Sequence, residues 1–158
     1  MIKIRKATKK DLDIIVNFSS KLLLEHEKNF SDFPKLSKNF KKEIRKFMKK
    51  EVSKKNNVGF IAFENEKPIG FILGEEKKDY PVFAENERPT GHIGNFYVEP
   101  EFRKKGIGKK LFAELKKWFR KRKLKKAEVG VNTPNKKGKK LYKKLGFVPY
   151  DERWRLKL

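Results

Sequence analysis

The sequence contains no cysteine, and this absence removes several classes of function at once. Disulfide bonds, thiolate metal sites and a cysteine nucleophile are all excluded. Histidine is scarce as well: His26 and His92 are the two in the chain, and neither has the ligand spacing of a zinc site. We therefore expect no metal centre.

Long apolar runs are also missing. No stretch approaches the roughly 18 consecutive apolar residues that a membrane-spanning helix requires. The N-terminal residues 1–5 alternate apolar and charged side chains, whereas a signal peptide would carry a continuous apolar segment. The sequence predicts a soluble, cytoplasmic protein without membrane association.

Acidic residues are few beside basic ones: 20 Asp and Glu against 43 Lys and Arg give a net charge of +23. Such a surface attracts nucleic acid, anionic lipid or a phosphorylated small molecule. A lysine-rich, cysteine-free composition is also typical of proteins from hot environments, so charge alone does not identify a partner. The apolar fraction is 37%, but 14 Phe residues compensate in part, and we expect one domain over residues 1–158.

Hydrophobic periodicity predicts a chain that mixes strands and helices. A first helix should follow Thr8, and a long loop is expected over 77–91. The predicted strands are residues 2–5, 58–63, 68–76, 92–98, 127–131, 147–150 and 153–158. The other predicted helices are residues 36–52, 106–121 and 133–145.

The segment from Val98 to Lys109 (VEPEFRKKGIGK) reads as a strand, a tight loop and the start of a helix. Gly106 and Gly108 carry no side chain, so backbone N–H groups can approach a ligand closely. The free N–H groups and the dipole of a helix start favour a phosphate. The surrounding cations are Arg103, Lys104, Lys105 and Lys109. The spacing fits neither a Walker A loop nor a dinucleotide fingerprint.

Two segments together resemble a known family. Residues 98–108 are similar to motif A of the GCN5-related acetyltransferases (GNAT), and Asn135 to Phe147 (NKKGKKLYKKLGF) is similar to motif B of the same family. The resemblance is specific over residues 92–147. Over residues 1–76 it rests on the order of the elements.

The resemblance implies an α/β fold with a mixed, mostly antiparallel sheet of six to seven strands, one splayed strand pair and about four helices. It also implies acetyl-CoA as co-substrate and transfer of the acetyl group to an amine acceptor. By position, the cofactor would contact Phe96, Tyr97, Val98, Arg103, Lys104, Lys105, Gly106, Ile107, Gly108, Lys109, Asn135 and Tyr142.

Tyr142 matches the general acid of the family, placed to protonate the departing sulfur, and Gly138 lies one helical turn before it. The resemblance does not identify the general base, because the position that carries a glutamate in some relatives is Gly130 here. The candidates that stay open are Glu128, His92, Glu75, Glu76 and a relay of water molecules.

The acceptor is the least determined part of this prediction. Tyr80, Phe83 and Glu85 in the 77–91 loop are expected to shape its site, with acids that favour a cationic amine, and Asn95 either faces that site or lies in a β-bulge. The alternatives are an acyltransferase for another acyl-CoA and a non-catalytic basic protein associated with nucleic acid. Family members often dimerise, so a homodimer is among the expected assemblies.

Overall fold

The computed structural model describes residues 1–85, 87–156 and 158. The strands are β1 (Ile2–Lys6), β2 (Asn57–Glu64), β3 (Lys67–Lys78), β4 (Pro89–Val98) and β5 (Ala127–Val129). The helices are α1 (Leu12–Asn29), α2 (Phe40–Glu51), α3 (Ile107–Lys121) and α4 (Lys136–Lys144). No helix in the described ranges is long and apolar enough to cross a membrane.

The strands form one sheet in the order β1-β2-β3-β4-β5. The first four pair antiparallel, whereas β5 runs parallel to β4. The prediction of a mixed, mostly antiparallel sheet flanked by four helices is confirmed. The described residues, however, form five strands where six to seven were expected.

The difference lies at the C-terminus. The predicted strands 147–150 and 153–158 are not formed in the described part of that segment, and Lys157 lies outside the described residues. Pro149 has no N–H to donate to a ladder, and the short β5 offers little edge for a further strand to pair with. The apolar side chains of Val148, Trp154 and Leu156 are therefore exposed.

Three other boundaries differ from the predicted ones. Helix α2 begins after the expected start at Leu36, because the Leu36 N–H donates to Glu27 Oε1 at 2.7 Å instead of entering a helix. Strands β3 and β4 continue as a ladder to the Lys78–Pro89 pair, which shortens the 77–91 loop to residues 79–88. Strand β5 ends before Val131, since its pairing with β4 stops at Val129.

One face of the sheet packs against α3. A Cβ atom at Gly74 would lie 2.4 Å from Leu115, and one at Gly91 would lie 2.8 Å from Phe119. Glycine at both positions therefore allows the helix to approach β3 and β4 closely. The buried residues on this side are Val58, Ala62, Ile69, Ile72, Ile93, Phe102, Ile107, Leu111, Phe112, Leu115 and Phe119.

The opposite face packs against α1 and α2. Phe71 of β3 is fully buried, and its ring stacks on Phe18 of α1 with 5.5 Å between centroids. Tyr97 of β4 lies 5.8 Å from the same Phe18 ring. The buried residues on this side are Ile15, Phe18, Ile44, Met48, Ile61, Phe63, Phe71 and Tyr97.

A β-bulge at Gly94 changes which side chains of β4 point to each face of the sheet. Ile93 pairs with Gly74 and Asn95 with Leu73, so Gly94 is the extra residue between two consecutive pairs. Because of this extra residue, Ile93 and Phe96 both face α3. His92, one residue before Ile93, points to the other face. The bulge expected near Asn95 is thus present, one residue earlier.

We expect Phe71→Ala to lower the free energy of unfolding by about 3–5 kcal/mol, because it leaves a cavity between β3 and α1. Phe47→Ala is the matched control, since the Phe47 side chain is 56% exposed, and its cost should stay below about 1 kcal/mol. Urea unfolding followed by circular dichroism measures both. Equal losses in the two variants would contradict the packing described here.

Candidate active site

A wedge-shaped gap opens between β4 and β5. The two strands pair through three consecutive positions, Gly91–Ala127, His92–Glu128 and Ile93–Val129. Beyond them β4 continues to Val98, while β5 has ended. Within the described residues, the edge of β4 from Gly94 to Val98 that faces away from β3 therefore pairs with no strand. We call this space the β4–β5 gap.

Backbone groups of β4 face this gap. The Glu99 N–H donates to the Ile69 carbonyl at 2.9 Å, which directs residue 99 toward β3. Since the direction alternates along a strand, the backbone groups of Tyr97 also face β3, and those of Phe96 and Val98 face the gap. Of the three residues predicted to offer backbone groups to the cofactor, Phe96 and Val98 have the required orientation.

The loop between β4 and α3 turns sharply and leads directly into the helix start. Lys104 and Gly106 have positive φ angles of 62° and 80°, so the chain turns sharply just before α3 begins at Ile107. The Lys110 N–H is bonded to the Gly106 carbonyl at 3.1 Å. The N–H groups that precede it, at 107–109, have no acceptor within the helix and are free for an anion.

Gly108 lies close to the Phe96 ring beside the gap. A Cβ atom at this position would lie 3.2 Å from the Phe96 ring, closer than most Cβ contacts in proteins. The side chains of Lys104, Lys105 and Lys109 are exposed around the same helix start. The start of α3 therefore offers close backbone approach and positive charge at one end of the gap.

Arg103 has a different role from the one its charge suggested. Its guanidinium forms a bidentate ion pair with Glu25 of α1 at 2.9 and 2.6 Å, and its Nε donates to the Val98 carbonyl at 2.8 Å. The same contact lowers the pKa of the Glu25 carboxyl. The Arg103 side chain is thus turned toward α1, where it fixes the end of β4, and only its backbone adjoins the loop that precedes α3.

Asn135 caps α4. Its side-chain oxygen accepts the Gly138 N–H at 2.8 Å, which satisfies one free donor of the helix start. A Cβ atom at Gly138 would lie 2.6 Å from Asn135 Nδ2. Glycine at 138 therefore leaves the capping side chain of Asn135 uncrowded.

Tyr142 projects from α4 toward the gap. Its ring lies 6.4 Å from the Phe96 ring of β4 and 5.6 Å from the Phe147 ring. Burial raises the pKa of its hydroxyl to about 12, because a phenolate would be poorly solvated here. Tyr142 therefore keeps its proton at neutral pH and can act as a proton donor.

Three of the four candidate bases lie together. Glu75, His92 and Glu128 occupy paired positions on β3, β4 and β5, and neighbouring residues across a sheet share one face. His92 Nδ1 lies 3.3 Å from Glu75 Oε1. Glu76 is directed to the other face, where it pairs with Arg122 at 2.5 Å.

Sequence reasoning missed three contributors to this site. Lys77 lies 3.1 Å from Glu75 Oε1, a contact that the alternation of β3 would have indicated because Glu75 and Lys77 share a face. Gly94 creates the bulge, and an isolated glycine within a strand pattern is a known indication of one. Glu25 of α1, in contrast, left no local signal.

The 79–88 loop beside the site is largely exposed. Tyr80 and Phe83 project into solvent, and Glu87 pairs with Lys125 at 3.0 Å. Glu85 is exposed in the same loop. Among the described residues, no group of three or more His, Asp or Glu side chains is arranged to hold a metal ion.

The chain is similar to proteins of one family. Residues 22–147 match the sequence pattern of the acetyltransferase (GNAT) family. An uncharacterised N-acetyltransferase of Methanocaldococcus jannaschii is 29% identical over 145 residues, which cover 91% of this chain but 59% of that protein. Another from Archaeoglobus fulgidus is 26% identical over 141 residues, or 89% of each chain.

A solved structure agrees with these relatives. A predicted acetyltransferase from Clostridium acetobutylicum, solved with acetyl-CoA, superimposes with a TM-score of 0.82 at 25% identity, covering 99% of this chain and 96% of that one. The family match spans most of the chain, including β4, α3 and α4. On this ground, the chain belongs to the acetyltransferase (GNAT) family.

Proposed function

We propose that the protein is an acetyl-CoA-dependent N-acetyltransferase that transfers the acetyl group to a primary amine. The observation that carries this proposal is the β4–β5 gap, which opens directly onto the glycine-containing start of α3. A strand edge that offers hydrogen bonds beside a site for a pyrophosphate suits the two parts of coenzyme A, its pantetheine arm and its phosphates.

The chain offers separate groups to each part of the cofactor. The pyrophosphate would accept hydrogen bonds from the N–H groups at the start of α3, with Lys104, Lys105 and Lys109 nearby. The pantetheine arm would lie along β4 and bond to the backbone of Phe96 and to the N–H of Val98, whose carbonyl already accepts from Arg103. Asn135 occupies the family position for a further contact to this arm, although its oxygen already caps α4.

The reaction is direct acyl transfer. The amine attacks the thioester carbonyl, and a backbone N–H of β4 that faces the gap would stabilise the oxyanion that develops. Tyr142, which burial keeps protonated at neutral pH, would donate its proton to the sulfur as the C–S bond breaks. The tyrosine then recovers a proton from the new amide nitrogen through water.

A second candidate function is binding of nucleic acid by the basic surface. Its strongest support is α4, where six of the nine residues are Lys and none is acidic. Its weakness is that the exposed aromatics Tyr80, Tyr150 and Trp154 lie in the 79–88 loop and the C-terminal segment, not on this helix. A longer acyl-CoA, a cytoplasmic location and a homodimer stay hypotheses within the main proposal.

Gly106→Glu and Gly108→Glu should each abolish binding of acetyl-CoA in isothermal titration calorimetry. Each places a carboxylate at the anion site, at a residue with positive φ in the first case and against Phe96 in the second. Ala113→Glu is the matched control, because it adds the same charge to an exposed position of α3 and should bind like the wild type. A well-folded wild type without affinity for acetyl-CoA would overturn the proposed function.

Tyr142→Phe should lower kcat by about 10²–10⁴-fold, the range for loss of a positioned general acid. The ring contacts to Phe96 and Phe147 remain, so the affinity for acetyl-CoA should not change. Because the pKa is raised to about 12, Tyr142 should cause no loss of activity on the alkaline side below about pH 11. Release of the free thiol measures the rate.

Tyr150→Phe serves as the control for this variant, because Tyr150 is exposed in the C-terminal segment. It should keep the wild-type rate. A Tyr142→Phe enzyme with wild-type kcat would remove Tyr142 from the mechanism while leaving the cofactor site intact.

A further inference from the structure

A row of polar side chains lies on the sheet face that packs, further along, against α1 and α2. Glu75, His92 and Glu128, which we call the polar row, occupy one level of β3, β4 and β5. Further along the same face, the buried side chains of the sheet are aliphatic or aromatic, including Ile61, Phe71 and Tyr97. Partly buried polar groups cost free energy unless they are paired, so the row requires an explanation.

One polar atom of the row has no hydrogen-bond partner among the described residues of the protein. His92 Nδ1 is buried, and its 3.3 Å contact with Glu75 Oε1 is not aligned as a hydrogen bond, so it has no hydrogen-bond partner among the described residues. Buried polar atoms without a partner are uncommon in native structures. The His92 side chain is nevertheless 28% exposed, so a ligand can reach the imidazole.

The row lies where the β4–β5 gap closes. The pair His92–Glu128 directly precedes the last pair, Ile93–Val129, beyond which the strands separate. A pantetheine arm that starts at α3 and follows β4 from Val98 toward Ile93 runs about 3.3 Å per residue of strand toward this point. Its thioester end therefore stops beside the row, since the strands leave no space beyond.

The charge of the row differs from that of the rest of the protein. With a neutral His92, the carboxylates of Glu75 and Glu128 and the ammonium of Lys77 sum to one negative charge, on a chain of net charge +23. A cationic amine is repelled by most of this surface and attracted here.

We propose that the polar row is the acceptor end of the active site, where Glu75 and Glu128 bind the ammonium group of the substrate and His92 removes its proton. This inference rests on the proposed function and names two features of it, the substrate class and the general base. The substrate is an alkyl amine that arrives protonated, such as a polyamine or a lysine side chain.

The proton and electron balance closes with groups already named. The ammonium gives one proton to the His92 imidazole, and its nitrogen lone pair forms the bond to the thioester carbonyl carbon. The C–S bond breaks with its electron pair on sulfur, which takes a proton from Tyr142. The amide nitrogen returns a proton to Tyr142 through water, and His92 releases its proton to solvent.

Three charged groups shift the pKa of His92, and the direction of each shift provides a test of its proposed role. Burial lowers the pKa of His92, and Lys77 lowers it further, whereas Glu75 and Glu128 raise it. The neutral imidazole is the active form, so kcat/KM should fall as the pH drops through the pKa of His92 in the free enzyme. Removing a carboxylate and removing the lysine should therefore shift this acidic limb in opposite directions.

The experiment measures kcat/KM against pH with spermidine, Nα-acetyl-lysine and tyramine as acceptors. Glu75→Gln and Glu128→Gln should move the acidic limb to lower pH and raise KM for the amine. Lys77→Met should move it to higher pH. His92→Gln should lower kcat by about 10²–10⁴-fold, with unchanged affinity for acetyl-CoA in calorimetry.

His26→Gln is the matched control. His26 lies at the end of α1 between the rings of Phe30 and Phe33, far in sequence from the row, and its loss should leave the pH profile unchanged. Because His26 and His92 are the two histidines of the chain, this variant also leaves one imidazole signal in a carbon-detected NMR titration. Spermidine should shift that signal in the enzyme loaded with coenzyme A.

The inference is wrong if His92→Gln keeps the wild-type pH profile, or if Glu75→Gln and Lys77→Met move the limb in the same direction. Acetyl-CoA binding without turnover of any of the three amines would instead count against the proposed function. In that case the NMR titration tests the polar row separately from catalysis. If spermidine does not shift the imidazole signal of His92, the inference is wrong.

Discussion

The early end of the parallel pairing between β4 and β5 determines the rest of the site. Three paired positions hold the strands together, and along the rest of β4 no described strand pairs with this edge. A free strand edge is normally a liability, because it recruits other chains. Here it is confined beside the start of α3 and the Phe96–Tyr142 contact, where a ligand of the right length can pair with it.

The free edge keeps its shape because both ends of β4 are fixed from outside the strand. At one end, Arg103 joins the Val98 carbonyl to Glu25 of α1. At the other end, Gly91 allows Phe119 of α3 to lie against the backbone. The two helical layers thus hold β4 on opposite faces, so the strand does not need a full ladder on its second side.

The cofactor half of the site could be predicted from the sequence, because its signals are local. Gly106 and Gly108 precede a strongly periodic helix, and their backbone roles require only nearby residues. The partner of Arg103 could not be predicted, since Glu25 is distant in the chain and becomes a neighbour only when α1 packs on the sheet. The missing C-terminal strands show a further limit: alternating apolar residues in that segment predict strands, but pairing depends on an available edge.

The bulge at Gly94 divides β4 into two segments that can vary independently. Up to Ile93, successive side chains of β4 point in turn to the face of the polar row and to the face of α3. After Gly94 this alternation begins again, along the strand edge that is proposed to bind the cofactor. Under the proposals above, substitutions in the first segment alter acceptor choice and leave the cofactor edge unchanged. One strand therefore gives a lineage of such enzymes a route to new amine substrates that does not require the coenzyme site to be rebuilt.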